Sequence, residues 1–357
     1  MVDLDQEKME AFGGRMMDIL NGGMLSLMTS IGQQTGLFEA MAGMPQATSQ
    51  DVAAAANLDE RYVREWLDTM VTGKILDYSP EERTYALPAE HAALLTSEAG
   101  PDNMAVFARM IPLLAGVEPD IVRSFREGGG VKYDQYDEFL STWAGVSAQI
   151  FDRGLVERVM PIMPDVVGRL KAGIDVLEVG CGTGHATNLL AQAYPNSRFT
   201  GYEFRDEAVE AGRTQAAALG LQNSDLMGRD ITTMDEPAAY DLVLAFDVIH
   251  DQARPRVVLR NIANALRTDG VFLMVDIKAS SHVHENLDHP LGPFLYTTST
   301  MHCMTVSLAL DGEGLGAMWG EQKALELLAE AGLTNVRVEQ VEGDIFNNYY
   351  IARKADA

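Results

Sequence analysis

The sequence predicts an α/β protein: a doubly wound, mostly parallel sheet behind a mainly helical N-terminal part. Two observations carry that prediction. The first is the stretch from Ile174 to Phe204, where an apolar β-favouring run (Ile174 to Val179) meets a turn at Gly180, Gly182 and Gly184. The amphipathic helix Ala186 to Ala193 follows, then a second strand, Arg198 to Tyr202, ending at Glu203. The second is that strand and helix patterns keep alternating almost to the C-terminus, as stacked βα units require. In such a fold a ligand sits where strand carboxyl ends meet the glycine turn.

The glycine spacing narrows the ligand. A dinucleotide fingerprint needs glycine at its first, third and sixth positions, so that a pyrophosphate can rest on the helix N-terminus. Counted from Gly180 the sixth residue is His185, and counted from Gly182 it is Thr187. The pattern is instead acidic-x-Gly-x-Gly-x-Gly, with Glu178 at its head. That carboxylate would repel a pyrophosphate and suits an ammonium group.

These residues resemble motif I of the class I S-adenosylmethionine-dependent methyltransferases. The resemblance implies a Rossmann-like seven-stranded domain with a closing antiparallel hairpin, and S-adenosyl-L-methionine as cofactor. It places Glu178 near the methionine end, lets Gly180, Gly182 and Gly184 bring the backbone close, and assigns the ribose hydroxyls to Glu203. It gives the adenine amino group to Asp230, with Phe204, Ile231 and Asp247 completing the expected cofactor contacts.

The order of elements fits that fold. Asp206 to Leu219 reads as helix, Ser224 to Met227 as strand, Tyr240 to Val248 as strand, Arg256 to Leu266 as helix and Val271 to Ile277 as strand. Glu321 to Ala331, Asn335 to Val341 and Asn348 to Arg353 read as helix, strand, strand. At the end of the Tyr240 strand stands Asp247-Val-Ile-His250-Asp251. In winged-helix plant-type O-methyltransferases a His-Asp pair follows this strand and its histidine takes the acceptor's proton, which by resemblance points to His250. Those enzymes continue with Trp, whereas Gln252 follows here. An unperturbed imidazole titrates near pH ~6.5, suited to a general base. Asp251 either assists or caps the following helix, and His302 is the second candidate base.

Upstream, Met9 to Met41 reads as helical, with an apolar stripe through Met16, Ile19, Leu20, Met24, Leu27 and Ile31 and breaks expected at Gly22 and Gly23. Thr48 or Ser49 caps a short helix, a second begins near Asp59, and Ile75 to Leu87 forms a hairpin wing around the turn Ser79 to Arg83. This resembles the winged-helix domain of many small-molecule methyltransferases. A DNA reader is the rival, but the would-be recognition helix sets Arg61 and Arg64 against Asp59, Glu60, Glu65 and Asp68, the wrong sign for a major groove. The module is therefore expected to dimerise and to wall the substrate site. The expected domains are 1–98 (winged helix and dimerisation), 99–170 (helical linker and lid) and 171–357 (cofactor domain).

Within the linker, Gly128, Gly129 and Gly130 precede Tyr133 and Tyr136, a composition suited to a moving lid. Val156 to Leu170 reads as one helix leading into the cofactor domain. The segment Ala279 to Gly320 exceeds what the fold needs and is expected to cap the substrate, with Tyr296, Cys303 and Trp319 as lining groups. Its histidines (His282, His284, His289, His302) match no common zinc spacing, so no metal is expected.

Composition bounds the remainder. A chain of 357 residues with 47% hydrophobic content holds two sizeable cores. A formal charge of -25 disfavours nucleic acid as a partner. With two cysteines, no bilayer-length apolar run and no signal pattern, the cytoplasm is the expected compartment, without membrane association. The expected reaction is methyl transfer to a small-molecule oxygen, nitrogen or sulfur nucleophile, a small thiol included, in a homodimer. The alternative is a winged-helix transcriptional regulator or a cofactor-sensing protein with a non-catalytic methyltransferase-like domain.

Overall fold

The computed structural model describes residues 4–354, apart from the side chains of Pro101 and Asp137; residues 1–3 and 355–357 of the expected terminal domains lie outside it. The chain forms two compact units, residues 1–116 and 117–357. The expected linker 99–170 is divided between them.

In the first unit, α1 (Gln6–Gln34) is capped by the Asp5 side chain, which accepts from the Lys8 amide. It runs unbroken through Gly22 and Gly23, contrary to the expected breaks. A mid-helix glycine costs only about 1 kcal/mol against alanine, too little to stop so long a helix; the chain turns instead at Gly36, where φ reaches 72°. Next come α2 (Leu37–Met41), α3 (Ser49–Ala56) and α4 (Glu60–Thr72). Thr48 and Asp51 form a reciprocal capping box on α3, and Asp59 caps α4. Strands β1 (Asp77–Ser79) and β2 (Thr84–Ala86) make the wing, pairing Tyr78 with Tyr85. Helices α5 (Ala89–Leu95) and α6 (Met104–Ala115) close the unit. Phe38, Val52, Val63, Trp66, Leu67 and Met70 form its core, and the Trp66 indole donates to the Met28 carbonyl at 2.8 Å. Along α1, Met9, Phe12, Met17, Ile19, Leu20 and Met24 remain exposed.

The second unit opens with α7 (Glu118–Glu127) and α8 (Asp137–Gly154). The single helix expected over Val156 to Leu170 is instead a π turn at Leu155–Val159, a 3-10 turn at Met160–Ile162 and then α9 (Pro164–Ala172). Pro161 and Pro164 lack the amide that a continuous helix needs, and Pro164 sits in the first turn where that lack is harmless.

Seven strands form one sheet: β3 (Asp175–Val179), β4 (Arg198–Glu203), β5 (Ser224–Gly228), β6 (Tyr240–Phe246), β7 (Leu266–Ile277), β8 (Arg337–Glu339) and β9 (Asn347–Arg353). Their order is β5-β4-β3-β6-β7-β9-β8. All neighbours are parallel except β9, which runs antiparallel to both β7 and β8. The covering helices are α10 (His185–Ala193), α11 (Asp206–Ala218), α12 (Pro255–Ala265), α13 (Gly292–Thr298), α14 (Met304–Leu308) and α15 (Gly320–Glu330). Alternate residues of β6 and β7 serve opposite faces: Val243, Ala245, Phe272 and Met274 pack with α12 and α15, while Leu242, Leu244, Leu273 and Val275 pack with α9 and α10. Strand order reverses between β3 and β6, so the crevice at their carboxyl ends is the natural ligand site.

The segment Ala279 to Gly320 contains several short helices; it is pressed onto the rest of the unit at two glycine contacts and closed on itself at a third. A Cβ on Gly130 would stand 1.9 Å from the Thr305 carbonyl oxygen, one on Gly312 2.5 Å from the Ala253 Cα, and one on Gly320 2.1 Å from the Ser281 amide nitrogen.

Candidate active site

The glycine turn leaves β3 with Gly180, Gly182 and Gly184 all in the left-handed region, at φ 65°, 53° and 68°. Two of them make room for neighbours. A Cβ on Gly180 would stand 2.6 Å from a Val248 methyl, and one on Gly184 2.4 Å from a Leu226 methyl. Gly182 differs, since its missing Cβ faces nothing within 4 Å. The backbone there borders open space.

Two carboxylates frame the turn. Glu203, buried at the end of β4, accepts from the amides of Gly182 and Arg205, each at 3.1 Å. Glu178 lies beneath the turn, fully buried, and accepts from the Thr187 hydroxyl at the start of α10. Burial pushes the Glu178 carboxyl up to about 7, against the opposing Thr187 hydrogen bonds. Asp230 is exposed and caps the turn after β5, its Oδ1 accepting from the Thr232 amide (2.8 Å) and hydroxyl (2.7 Å). Ile231 belongs to the core, whereas Phe204 is exposed and meets Tyr133 edge-on at 5.5 Å.

Beyond β6 lies a second, denser cluster. Asp247 holds a left-handed φ of 53°, uncommon for a non-glycine residue, while its amide donates to the Val275 carbonyl at 2.9 Å. Burial raises its carboxyl to about 7, with Asp276 adding to the rise and His250 opposing it. His250 is 4% exposed. Its Nδ1 lies 2.7 Å from Asp276 Oδ1, an oxygen that also accepts from the Trp319 indole at 2.9 Å and the Ile277 amide at 2.8 Å. On the other side Nε2 is 3.2 Å from Asp251 Oδ1. Burial alone would lower this imidazole, but Asp276 and Asp251 overcome it and hold His250 well above the usual histidine range.

His302 contrasts with it. It is buried among Tyr136 and Phe139, each 4.7 Å away, and Tyr133 at 5.5 Å. Burial lowers its pKa, which the nearby Asp251 carboxylate only partly offsets, so this ring favours the neutral form. Cys303 is buried beside His250 and Asp251, and burial followed by the Asp251 charge pushes its thiol up to about 12. Four atoms of this cluster are buried without a hydrogen-bond partner in the protein: Asp247 Oδ1, Asp251 Oδ1, Asp276 Oδ2 and His302 Nε2.

Of the expected lid groups, Tyr133 reaches the crevice, with Arg205 5.9 Å over its ring. Tyr136 is buried and donates to the Met301 carbonyl at 2.5 Å. The Tyr296 hydroxyl accepts from Asn286 at 3.1 Å. Trp319 and Cys303, expected to line a cap, both stand in the His250 cluster. The residue that orients His250 through Nδ1 is Asp276, not Asp251. The helix-capping alternative for Asp251 is not adopted either, since α12 has no side-chain cap. Sequence reading missed Asp276 and Thr187. Asp276 ends a strand carboxyl-terminally, the same sign that singled out His250.

Residues 170–332 match the model of a methyltransferase domain, and residues 23–97 match that of the Rv2258c-like winged helix-turn-helix domain. Residues 170–332 thus carry a methyltransferase domain, preceded by a winged helix-turn-helix domain. Among curated proteins similar to this chain, the (S)-coclaurine N-methyltransferase of Thalictrum flavum subsp. glaucum is 30% identical over 122 residues, 34% of each chain. The malonyl-[acyl-carrier protein] O-methyltransferase of Bacillus cereus is 28% identical over 102 residues, 29% of this chain and 37% of that relative. The chain thus spans only about a third of the relatives it matches. Solved structures share the fold along the whole length. The mitomycin 7-O-methyltransferase MmcR gives a TM-score of 0.71 at 20% identity, covering 98% of this chain and 100% of that one. Human N-acetylserotonin methyltransferase in complex with S-adenosylmethionine gives 0.65 at 20% identity, covering all of both chains.

The crevice fits S-adenosylmethionine, the cofactor bound in the human N-acetylserotonin methyltransferase structure. Open space beside Gly182, carboxylates on both sides of the turn and an unpartnered Asp247 oxygen suit a phosphate-free ligand bearing positive charge. No helix among the described residues is long and apolar enough to cross a membrane.

Proposed function

We propose that this chain transfers a methyl group from S-adenosyl-L-methionine to the oxygen, nitrogen or sulfur of a small molecule, in the cytoplasm and as a homodimer. The observation that carries the reading is the pairing of an open glycine turn, flanked by Glu178 and Glu203, with a buried His250 cluster at the same end of the sheet. The cofactor supplies a methyl group on a sulfonium. Every other part of the chemistry falls to the protein.

In this reading Glu203 takes the ribose hydroxyls, Asp230 the adenine amino group, and Glu178 and Asp247 face the cationic end. Phe204 and Ile231 flank the adenine. Tyr133 and Tyr136 exclude water from the acceptor side, and Tyr296 stands further along the cap. In-line displacement needs the nucleophile aligned and deprotonated. His250, oriented by Asp276, takes the acceptor's proton at Nε2, with Asp251 and His302 beside it. Since the carboxylates hold this imidazole protonated, it serves as a base only when pH exceeds its raised pKa or when a bound cation lowers it.

The curated relatives named above are an N-methyltransferase and an O-methyltransferase, which favours no single acceptor atom. The anionic surface of the winged-helix unit and the total charge of -25 argue against the regulator reading. The test is incubation of purified protein with S-adenosylmethionine and acceptors grouped as phenols, amines and thiols. Demethylated cofactor formed only with an acceptor is the expected result. Cofactor binding without turnover on any class would favour a sensor.

A further inference from the structure

We infer that His250, Asp251 and Cys303 form a binding site for a thiophilic divalent cation of the zinc type. The inference goes beyond the methyl-transfer reading and does not depend on it. One ligand atom from each of the three residues lies within 4.8 Å of the others, and the His250 Nε2 to Asp251 Oδ1 separation is 3.2 Å. Imidazole nitrogen, carboxylate oxygen and thiolate sulfur are the donors zinc takes, and three protein ligands with a fourth position open is the pattern of a reactive rather than a structural site.

Three further observations bear on what this trio can hold. Asp251 Oδ1 is buried and has no hydrogen-bond partner although it stands 3.2 Å from an imidazole nitrogen. That oxygen is close to the ring without being bonded to it. Then the remote nitrogen is held as a metal-binding histidine's is: Nδ1 pairs with the Asp276 carboxylate, itself fixed by the Trp319 indole and the Ile277 amide. The lone pair is thereby aimed through Nε2 at the trio. Finally, two carboxylates, Asp251 and Asp276, face the single buried imidazole, an excess of negative charge that is costly in a low-dielectric interior unless a cation accompanies it. The trio's ligands come from two segments distant in sequence, which is why the spacing of the cap histidines gave no sign of it.

An ion and a proton exclude each other at Nε2. The metal-loaded chain would meet an acceptor's heteroatom at the ion's open position, and a thiol is the acceptor such an ion favours. His250 would handle the proton itself only in the metal-free chain.

The test uses the full chain. Protein stripped with a chelator is titrated with Co²⁺ alone. The expected result is one ion per chain, with the visible bands of four-coordinate cobalt and a near-ultraviolet band from thiolate-to-cobalt charge transfer. Cys303→Ser should remove the charge-transfer band, and Asp276→Asn should weaken Co²⁺ by ~10- to 100-fold, as loss of a histidine's supporting carboxylate does elsewhere. If Cys303→Ser does not fold, Asp276→Asn and Asp251→Asn carry the comparison. A folded, stripped wild-type chain that binds no Co²⁺ at micromolar concentration overturns the inference, as does a charge-transfer band that survives in Cys303→Ser. Calorimetry of S-adenosylmethionine on the stripped protein keeps this outcome separate from the fate of the methyl-transfer reading.

Discussion

Single residues decide the chemistry at both ends of the crevice. Removing the carboxylate in Glu203→Ala deletes charge-assisted acceptors and is expected to weaken S-adenosylmethionine by about 2 to 3 kcal/mol, measured calorimetrically on folded protein. The effect has two parts here, because Glu203 also holds the amide of Gly182 in place. For His250→Ala, turnover on a hydroxyl acceptor should fall by about 10² or more with cofactor affinity retained. Its partner has a distinct signature. Asp276 favours the protonated imidazole, so Asp276→Asn should move the acid limb of the kcat/KM profile to lower pH while reducing the maximum. An unmoved limb would detach Asp276 from the titration. The raised carboxyls of Glu178 and Asp247 give a third expectation. Both are held at about 7, so a cationic ligand that needs them ionised should bind more tightly at pH 8 than at pH 6, with protons released. The same shifts act oppositely on the fold. Stability tied to their protonated forms is present at low pH and is lost as pH rises from the unfolded values toward about 7.

At the scale of elements, the glycine turn offers a clean contrast. Alanine at Gly182 meets only backbone strain, on the order of 1 to 2 kcal/mol, and projects into open space. Alanine at Gly180 adds a collision with Val248. Thermal melts and cofactor titrations should therefore show Gly182→Ala as folded but deficient in binding, and Gly180→Ala as the less stable of the two. This turn was legible in the sequence because its chemistry is local: spacing, left-handed φ and strand periodicity are all short-range. So were the helix cap at Thr48 or Ser49 and the hairpin wing; the reciprocal bond to Asp51 was not read. The helix expected over Val156 to Leu170 failed where two prolines broke a valid apolar period. Breaks expected at Gly22 and Gly23 failed because glycine permits a turn without imposing one. The His250 cluster was half legible. Strand-end position marked His250, but Asp276, Trp319 and Cys303 reach it from segments whose meeting depends on how β7 and the cap pack, which no linear period records.

Over the whole molecule the exposed apolar side of α1 calls for a partner. Met9, Phe12, Met17, Ile19, Leu20 and Met24 line a 29-residue helix, and a second copy of the chain can cover them about a two-fold axis. Light scattering at micromolar concentration should give twice the chain mass, and Leu20→Glu should shift it toward the monomer. A monomeric wild type would leave the stripe without that role. The glycine contacts that seat Ala279 to Gly320 on the unit, at Gly130 and Gly312, have a different reach. Where backbone rests on backbone there is no side chain to yield, so Ala279 to Gly320 behaves as masonry rather than as a flap. On the proposed reading, a descendant of this chain would widen its range of acceptors by exchanging side chains on a fixed wall.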